Sequence, residues 1–374
     1  MSRQRLRILF LLGSIWDDAS VRNRIVNYVA PLTAAGMDCD VAPRLPCWAC
    51  RLEQWENGTQ LQKAFFYGSF ALDRLLRIIA TPRYDVVVVQ RDVFPFSAGL
   101  YERLLFALND KVVYDTDDAL HVNPGFASKT IFQRLRPLEK YEAMMRSAKA
   151  VVVANPFLME HALQLNPATI EIPMTIDCQG YQPRVEASER SSELIVGWTG
   201  GRTSFVYLPM LRGPLENLTS KLPLVFEIVS GFDVPVDFGQ VRIRRKPWRL
   251  DSETADIADF DIGVLPLIDG EFERGKFPFK ALQYMAAGLP VVASPVGVLS
   301  SLIEHGHTGF LAETEADWEH YLGLLLRDPE LRLEMGRAAR RKVEQDYSTN
   351  RYAPLWAKIL RETARATATE GARP

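Results

Sequence analysis

The segment Gly275–Gly297 (GKFPFKALQYMAAGLPVVASPVG) holds the residue types of an anion site. Gly275 loosens the chain, Pro278 suits a first helical turn, Ala281–Ala287 propagates a helix and Gly288 stops it before the strand Val291–Ser294. A helix start presents unpaired N–H groups and about half a positive charge. Lys276 and Lys280 flank that start, which suits a phosphate or pyrophosphate. Gln283, one turn after Lys280 on the same face, is placed to hydrogen-bond a neutral hydroxyl. The same spacing also fits a buried amphipathic helix with two solvated lysines.

Three further constellations follow predicted strands. In VGWTGGRT (Val196–Thr203), Gly200 and Gly201 allow close backbone approach to a phosphate, and Arg202 offers it a fork of donors. In VVYDTDDALH (Val112–His121), Asp115, Asp117, Asp118 and His121 end a strand; this reads either as a carboxylate-rich helix cap or as a D-x-D metal pair. Leu12–Gly13–Ser14 closes the first strand ahead of Arg22 and Arg24, and Gln90–Arg91–Asp92 closes another. Cys47-Trp-Ala-Cys50 has metal or redox spacing but no second pair, so it reads as a loop feature. The apolar, arginine-bearing stretch Phe65–Arg83 fits a core helix or one lying on a membrane surface.

The elements that position these residues come from the wider pattern. The 374 residues suggest two domains at about 150 residues each, and 47% hydrophobic with 24% charged residues is ordinary globular composition. A net charge of −2 argues against a protein built mainly for nucleic acid. The N-terminal apolar run is short and soon followed by aspartates, which predicts a buried first strand rather than a signal peptide, and a cytoplasmic protein. Short Val- and Ile-rich runs alternate with helical patterns, first at Leu6–Leu12, Cys39–Ala42, Val86–Val89, Lys111–Tyr114, Ala150–Ala154 and Thr169–Ile172. After the polar stretch Pro183–Glu193 they resume at Leu194–Trp198, Leu224–Val229, Val241–Arg244, Ile262–Leu265 and Val291–Ser294. Nearly continuous apolar strands between helices mean parallel sheets covered on both faces. The expectation is an α/β chain of two Rossmann-like, doubly wound domains facing each other across a cleft. Their expected bounds are 1–182 (acceptor side), 183–346 (donor side) and 347–374, a helix crossing back to the first domain plus a frayed tail. Ligands bind such sheets at the carboxyl ends of the strands.

The Gly275–Gly297 segment resembles the donor-site helix of the retaining GT-B glycosyltransferases of family 4, where a Glu-x7-Glu motif runs into a helix ending M-A-C/A-G-x-P-V-V-A-S. FDIGVLPL (Phe260–Leu267) and GHTGFLAETEADW (Gly306–Trp318) are similar in order and spacing, and IPMTID (Ile172–Asp177) resembles the family's turn at the domain junction. In that frame the first glutamate falls on Gly275 and the second on Gln283; Glu271 and Glu273 are near enough to substitute if their loop folds inward. A branch with K-x3-K before L-Q-Y-M-A-A-G is the closer pattern. The resemblance implies a metal-independent, hexosyltransferase-type enzyme without a cofactor, moving a sugar from a nucleotide-diphosphate donor to an acceptor hydroxyl in polysaccharide or glycoconjugate synthesis. It implies catalytic roles for Asp117, Asp118, Arg202 and Lys276, with Asp117 and Asp118 standing where similar enzymes read His-Asp. Gly13, Gly200, Gly201, Lys280 and Gln283 would hold the donor, and Arg22, Arg24, Arg91 and His121 would lie on the acceptor side. The acceptor is a glycan, a lipid-linked intermediate or a small molecule, the last but one implying peripheral contact with the inner face of a membrane. The competing readings are a non-catalytic GT-B-like protein that binds a nucleotide or a partner, and a nucleotide-sugar epimerase.

Overall fold

Alternate residues of each strand in the first half feed two different cores. Ile8, Phe10, Leu12, Val86, Val88, Val113 and Val152 pack with Val21, Ile25, Tyr28 and Trp356, whereas Leu9, Leu11, Val87, Val89, Tyr114 and Val153 pack with Ile78, Leu105, Met144 and Leu158. That division is the consequence of a strand period of two in a sheet with helices on both faces. The structure is a computed structural model in which residues 5–14, 16–43, 59–95, 97–122, 138–183, 193–233 and 236–366 are described. The Cys47–Cys50 pair and most of the polar stretch after Pro183 lie outside the described residues.

Among the described residues there are two six-stranded parallel sheets. The first contains β1 (Leu6–Leu12), β2 (Met37–Ala42), β3 (Val86–Gln90), β4 (Val112–Thr116), β5 (Ala150–Val153) and β6 (Thr169–Glu171), in the order β2-β1-β3-β4-β5-β6. The second contains β7 (Leu194–Thr199), β8 (Leu224–Ser230), β9 (Ile243–Pro247), β10 (Ile262–Leu265), β11 (Val291–Ala293) and β12 (Gly309–Leu311), in the order β12-β11-β10-β7-β8-β9. Strand order reverses between β1 and β3 in one sheet and between β7 and β10 in the other, so each has a switch point where helices diverge and a crevice opens.

The chain divides into two compact units, Met1–Met174 with Tyr352–Pro374, and Thr175–Arg351. The stretch after Met174 goes with the second unit because Ile176 bridges Ser348 and the Arg340 guanidinium donates to the carbonyls of Cys178 and Tyr181. The last helix, Thr349–Arg365, sends Trp356, Ile359 and Leu360 into the first unit's core.

Several elements depart from the pattern read in the sequence. β9 starts at Ile243 rather than Val241, because Val241 closes a turn by donating its N–H to Phe238 O at 3.0 Å. After β7 the chain forms a 3-10 run, Arg202–Leu211, before the α-helix Arg212–Thr219; Pro209 lacks the N–H that an α-helix would need there. β12 and the short helices Glu253–Ala258, Glu271–Arg274 and Leu299–Leu302 were too brief to give a periodic signal.

Candidate functional site

The second unit's switch point is built by three glycines and one tyrosine. A side chain at Gly197 of β7 would collide with the Phe260 ring, and one at Gly263 of β10 with the Tyr284 ring. The bare strands therefore let Tyr284, on the helix Phe279–Ala286, lie against the sheet, where its hydroxyl accepts the Thr199 N–H at the end of β7 (2.9 Å). This bond fixes the helix carrying Lys280 and Gln283 beside the loop carrying Gly200 and Gly201. A Cβ at Gly200 would strike the Trp198 indole and come within 2.6 Å of Lys280 Nζ, while one at Gly201 would meet nothing within 4 Å. Gly200 thus makes room for the lysine, and Gly201 faces open space.

Lys280 Nζ lies 4.9 Å from the Trp198 ring centroid and donates to Ser204 Oγ at 3.1 Å. Among the described residues no carboxylate reaches it. Burial, with the Lys276 charge adding to it, pushes the Lys280 ammonium down to about 7. A lysine in this state gains strongly from an arriving anion. Lys276 Nζ stands 4.3 Å from the Phe272 ring centroid, and the exposed Arg202 guanidinium lies 5.0 Å from that of Phe232. Gln283 is 3% exposed, and its Nε2 donates to Tyr181 Oη at 3.1 Å. Gly275 follows the Glu271–Arg274 turn and returns its N–H to Glu271 O (3.2 Å). Of the two nearby glutamates, Glu271 is exposed, and Glu273 accepts from the Tyr207 hydroxyl, so Glu273 is already engaged.

The first unit's strand ends are arranged differently. Gly13 is required by crowding: a Cβ there would sit 2.7 Å from Gln90 O and 2.9 Å from Asp92 N, at the switch between β1 and β3. Arg24, in a π-helical turn (Arg22–Val26), is 2% exposed and grips the buried Asp115 through Nε (2.9 Å), with Nη1 on Ile172 O (2.8 Å). Arg22, two residues earlier in the chain, stays half-buried. Arg91 adopts a left-handed backbone (φ 65°) and holds Asp117 with two bonds (2.7 and 2.9 Å) and Asp118 with one (2.7 Å). Burial would raise the Asp117 carboxyl, but Arg91 outweighs it and holds the group below its ordinary value. His121 stacks flat on His161 with ring centroids 3.9 Å apart. The structure therefore gathers Asp117, Asp118 and Arg91 into one ion-pair cluster, and separately gathers Gly200, Lys280 and Gln283 on the second sheet.

Sequence reasoning missed Trp198, Ser204, Tyr181 and Tyr284. Trp198 stood beside the Gly-Gly pair and could have been read as a wall for it; the other three carried no local signal.

Residues 245–328 match the family described as glycosyl transferases group 1. The matched stretch lies wholly within the second unit. Over 81 residues, 21% of this chain and 18% of the relative, the chain is 48% identical to a D-inositol 3-phosphate glycosyltransferase of Pseudarthrobacter chlorophenolicus. Over 97 residues, 24% of this chain and 25% of the relative, it is 31% identical to the N-acetyl-alpha-D-glucosaminyl L-malate synthase of Bacillus anthracis. These matches span a quarter or less of the curated relatives' own length. The GT-B fold extends over nearly the whole chain. Sucrose-phosphate synthase of Thermosynechococcus elongatus is similar at a TM-score of 0.68 and 18% identity, covering 96% of this chain and 99% of that one. HepE of Anabaena, solved with UDP and glucose, is similar at 0.69 and 15% identity, covering 96% and 100%.

Proposed function

We propose that this glycosyltransferase group 1 chain is a retaining, hexosyl-type glycosyltransferase that moves a sugar from a nucleoside-diphosphate donor to an acceptor hydroxyl. The observation that carries the reading is Lys280, a lysine without a carboxylate partner among the described residues, held against Trp198 and Ser204 at the second sheet's switch point. In this reading the donor diphosphate lies by Gly200 and Gly201 and is bound by Lys280, with Lys276 and Arg202 adding positive charge. Same-face transfer leaves negative charge on the departing diphosphate. Preorganised cations stabilise that charge without reorganising at the moment of reaction. Gln283 takes a donor hydroxyl. No residue is asked to act as a covalent nucleophile, and transfer needs neither metal nor cofactor.

We assign the acceptor side to the first unit. Asp118 and Arg91, with side chains 25% and 21% exposed, are the groups available to an acceptor there, with His121 shortly after Asp118 in the chain. Arg24, Asp117 and Gly13 shape that end from within, and Arg22 borders it. For localisation we infer peripheral contact with an anionic membrane surface. The helix Gln60–Ile79 leaves Leu61, Phe65, Leu72, Leu76 and Ile79 exposed along one stripe, with the exposed Arg83 beyond its end. No described helix is long and apolar enough to cross a membrane.

The test is a thermal-shift panel of UDP, GDP, ADP and their sugar conjugates; HepE was solved with UDP and a plant starch synthase with ADP. A ligand at a hundredfold excess over its Kd adds about 2.7 kcal/mol of stability. A shift with one base names the donor class. Gly275, which offers no side chain where the family's first glutamate falls, favours one competing reading, a non-catalytic binder. Release of free nucleotide from the sugar conjugate when an acceptor is added separates the two.

A further inference from the structure

The turn Glu271–Arg274 carries two glutamates to within a few residues of Lys276 and Lys280, where a carboxylate would compete with a bound anion. Glu271 is exposed to water. Glu273 is half-buried and accepts from the Tyr207 hydroxyl, although two cations stand closer to it in the chain. Arg274 is taken by Asp269 through two bonds of 2.7 Å each. Lys276 lies three residues after Glu273, a spacing at which side chains on a helical turn meet. Its N–H donates to Glu273 O at 3.2 Å, yet its ammonium lies against the Phe272 ring while the Glu273 carboxylate turns to the phenol.

The surroundings set that choice. Tyr207 is 3% exposed and belongs to the 3-10 run Arg202–Leu211, which also carries Arg202 and Ser204. Burial, with the Glu273 bond adding to it, pushes the Tyr207 hydroxyl up, so the phenol stays a donor. A Cβ at Gly270 would lie 2.5 Å from Glu273 Oε2, and one at Gly297 would lie 2.9 Å from Arg274 O. These two bare positions let the turn and its carboxylate settle where the phenol can reach. A phenol satisfies a carboxylate oxygen without drawing on a cation, which an ion pair with Lys276 would do.

We propose that Tyr207 is a positioning residue that holds the Glu273 carboxylate away from Lys276, keeping that lysine's charge for a diphosphate. This rests on the donor-site reading above. Without the phenol, Glu273 swings to Lys276 and becomes an internal competitor of the incoming anion.

The experiment measures calorimetric affinities for pyrophosphate, UDP, GDP and ADP. The proteins are the full chain and its Tyr207→Phe, Glu273→Gln and Lys276→Gln variants, with Tyr207→Phe also combined with each of the other two, all checked by thermal melt. Tyr207→Phe should weaken pyrophosphate binding by about fivefold, the strength of a partly exposed ion pair. Glu273→Gln keeps an acceptor for the phenol without the charge, and should bind at least as well as the wild type. Combining it with Tyr207→Phe should restore affinity to within about twofold of the wild type. In the Lys276→Gln background, Tyr207→Phe should change affinity by less than about twofold. Unaltered affinity in Tyr207→Phe overturns the proposal, and so does weaker binding in Glu273→Gln. A loss that Glu273→Gln does not rescue, or that persists in Lys276→Gln, also overturns it, because the phenol then acts through packing. An unfolded Tyr207→Phe variant does the same. If the wild type binds pyrophosphate or a nucleotide and these contrasts fail, this proposal falls alone. If it binds none of them, the donor-site reading falls too.

Discussion

The two sheets end in opposite electrostatic states. At the first unit's strand ends, Arg24 sits on Asp115, Arg91 on Asp117 and Asp118, and Lys140 on Asp92 (2.5 Å), so these cations are met from within the unit. At the second unit's switch point, Lys280 meets an indole and a serine hydroxyl instead of a carboxylate. Folding alone satisfies the first arrangement. The second leaves a charge that burial penalises, and only an anion from outside would restore it. The same topological position thus fixes loops in one unit and, in the function we propose, keeps an anion site open in the other.

Breaking the first arrangement should cost the most. Arg24→Met strands Asp115 in the interior and should destabilise the first unit by about 3–5 kcal/mol. A urea melt would register this, while pyrophosphate affinity at the second unit should hold. Next, Lys280→Ala should weaken nucleoside-diphosphate binding by roughly 1.5–3 kcal/mol, the range for a charge-assisted hydrogen bond, with no comparable loss of stability. Lys276→Ala should act in the same direction. Calorimetry on both variants checks the contrast, and unchanged affinity would remove the phosphate assignment.

Acidity sharpens it further. Burial and the Lys276 charge push the free Lys280 ammonium down to about 7, and a bound anion must raise it. Below pH 7 the lysine is charged with or without ligand, so affinity stays flat. Above pH 7 the free protein loses the proton that the complex keeps, and affinity should drop by up to about tenfold per pH unit. Lys280→Arg, which stays charged, should flatten that profile if it still binds. The smallest effect concerns the exposed stripe: Leu76→Ser should reduce sedimentation with anionic vesicles by about fivefold and leave nucleotide binding untouched.

Much of this contrast was legible in the sequence for a simple reason. Strands covered on both faces are apolar at every position, so VVVV at Val86–Val89 announces itself, as does a helix stopped by Gly288. The residues around Lys280 were legible as a local pattern of lysines, glycines and a proline. What could not be read was pairing at a distance. Arg24 and Asp115 lie 91 residues apart, and Gln283 and Tyr181 lie 102 apart. Nothing in Arg24 or in the Asp115–Asp118 run says that their charges are spent on each other and on Arg91. Nor does a lone Gly-Gly reveal that Gly200 is bare because Lys280 and Trp198 occupy the space its side chain would need.

The central claim is that the second unit's switch point is an anion site completed by a diphosphate. The most direct measurement is calorimetric titration of UDP, GDP and ADP at pH 8 in two buffers of different ionisation enthalpy. The account predicts that at least one nucleotide binds with uptake of close to one proton, and that Lys280→Arg removes the uptake. Binding without proton uptake would mean that Lys280 does not meet the phosphates, and no binding of any of the three would contradict the site itself.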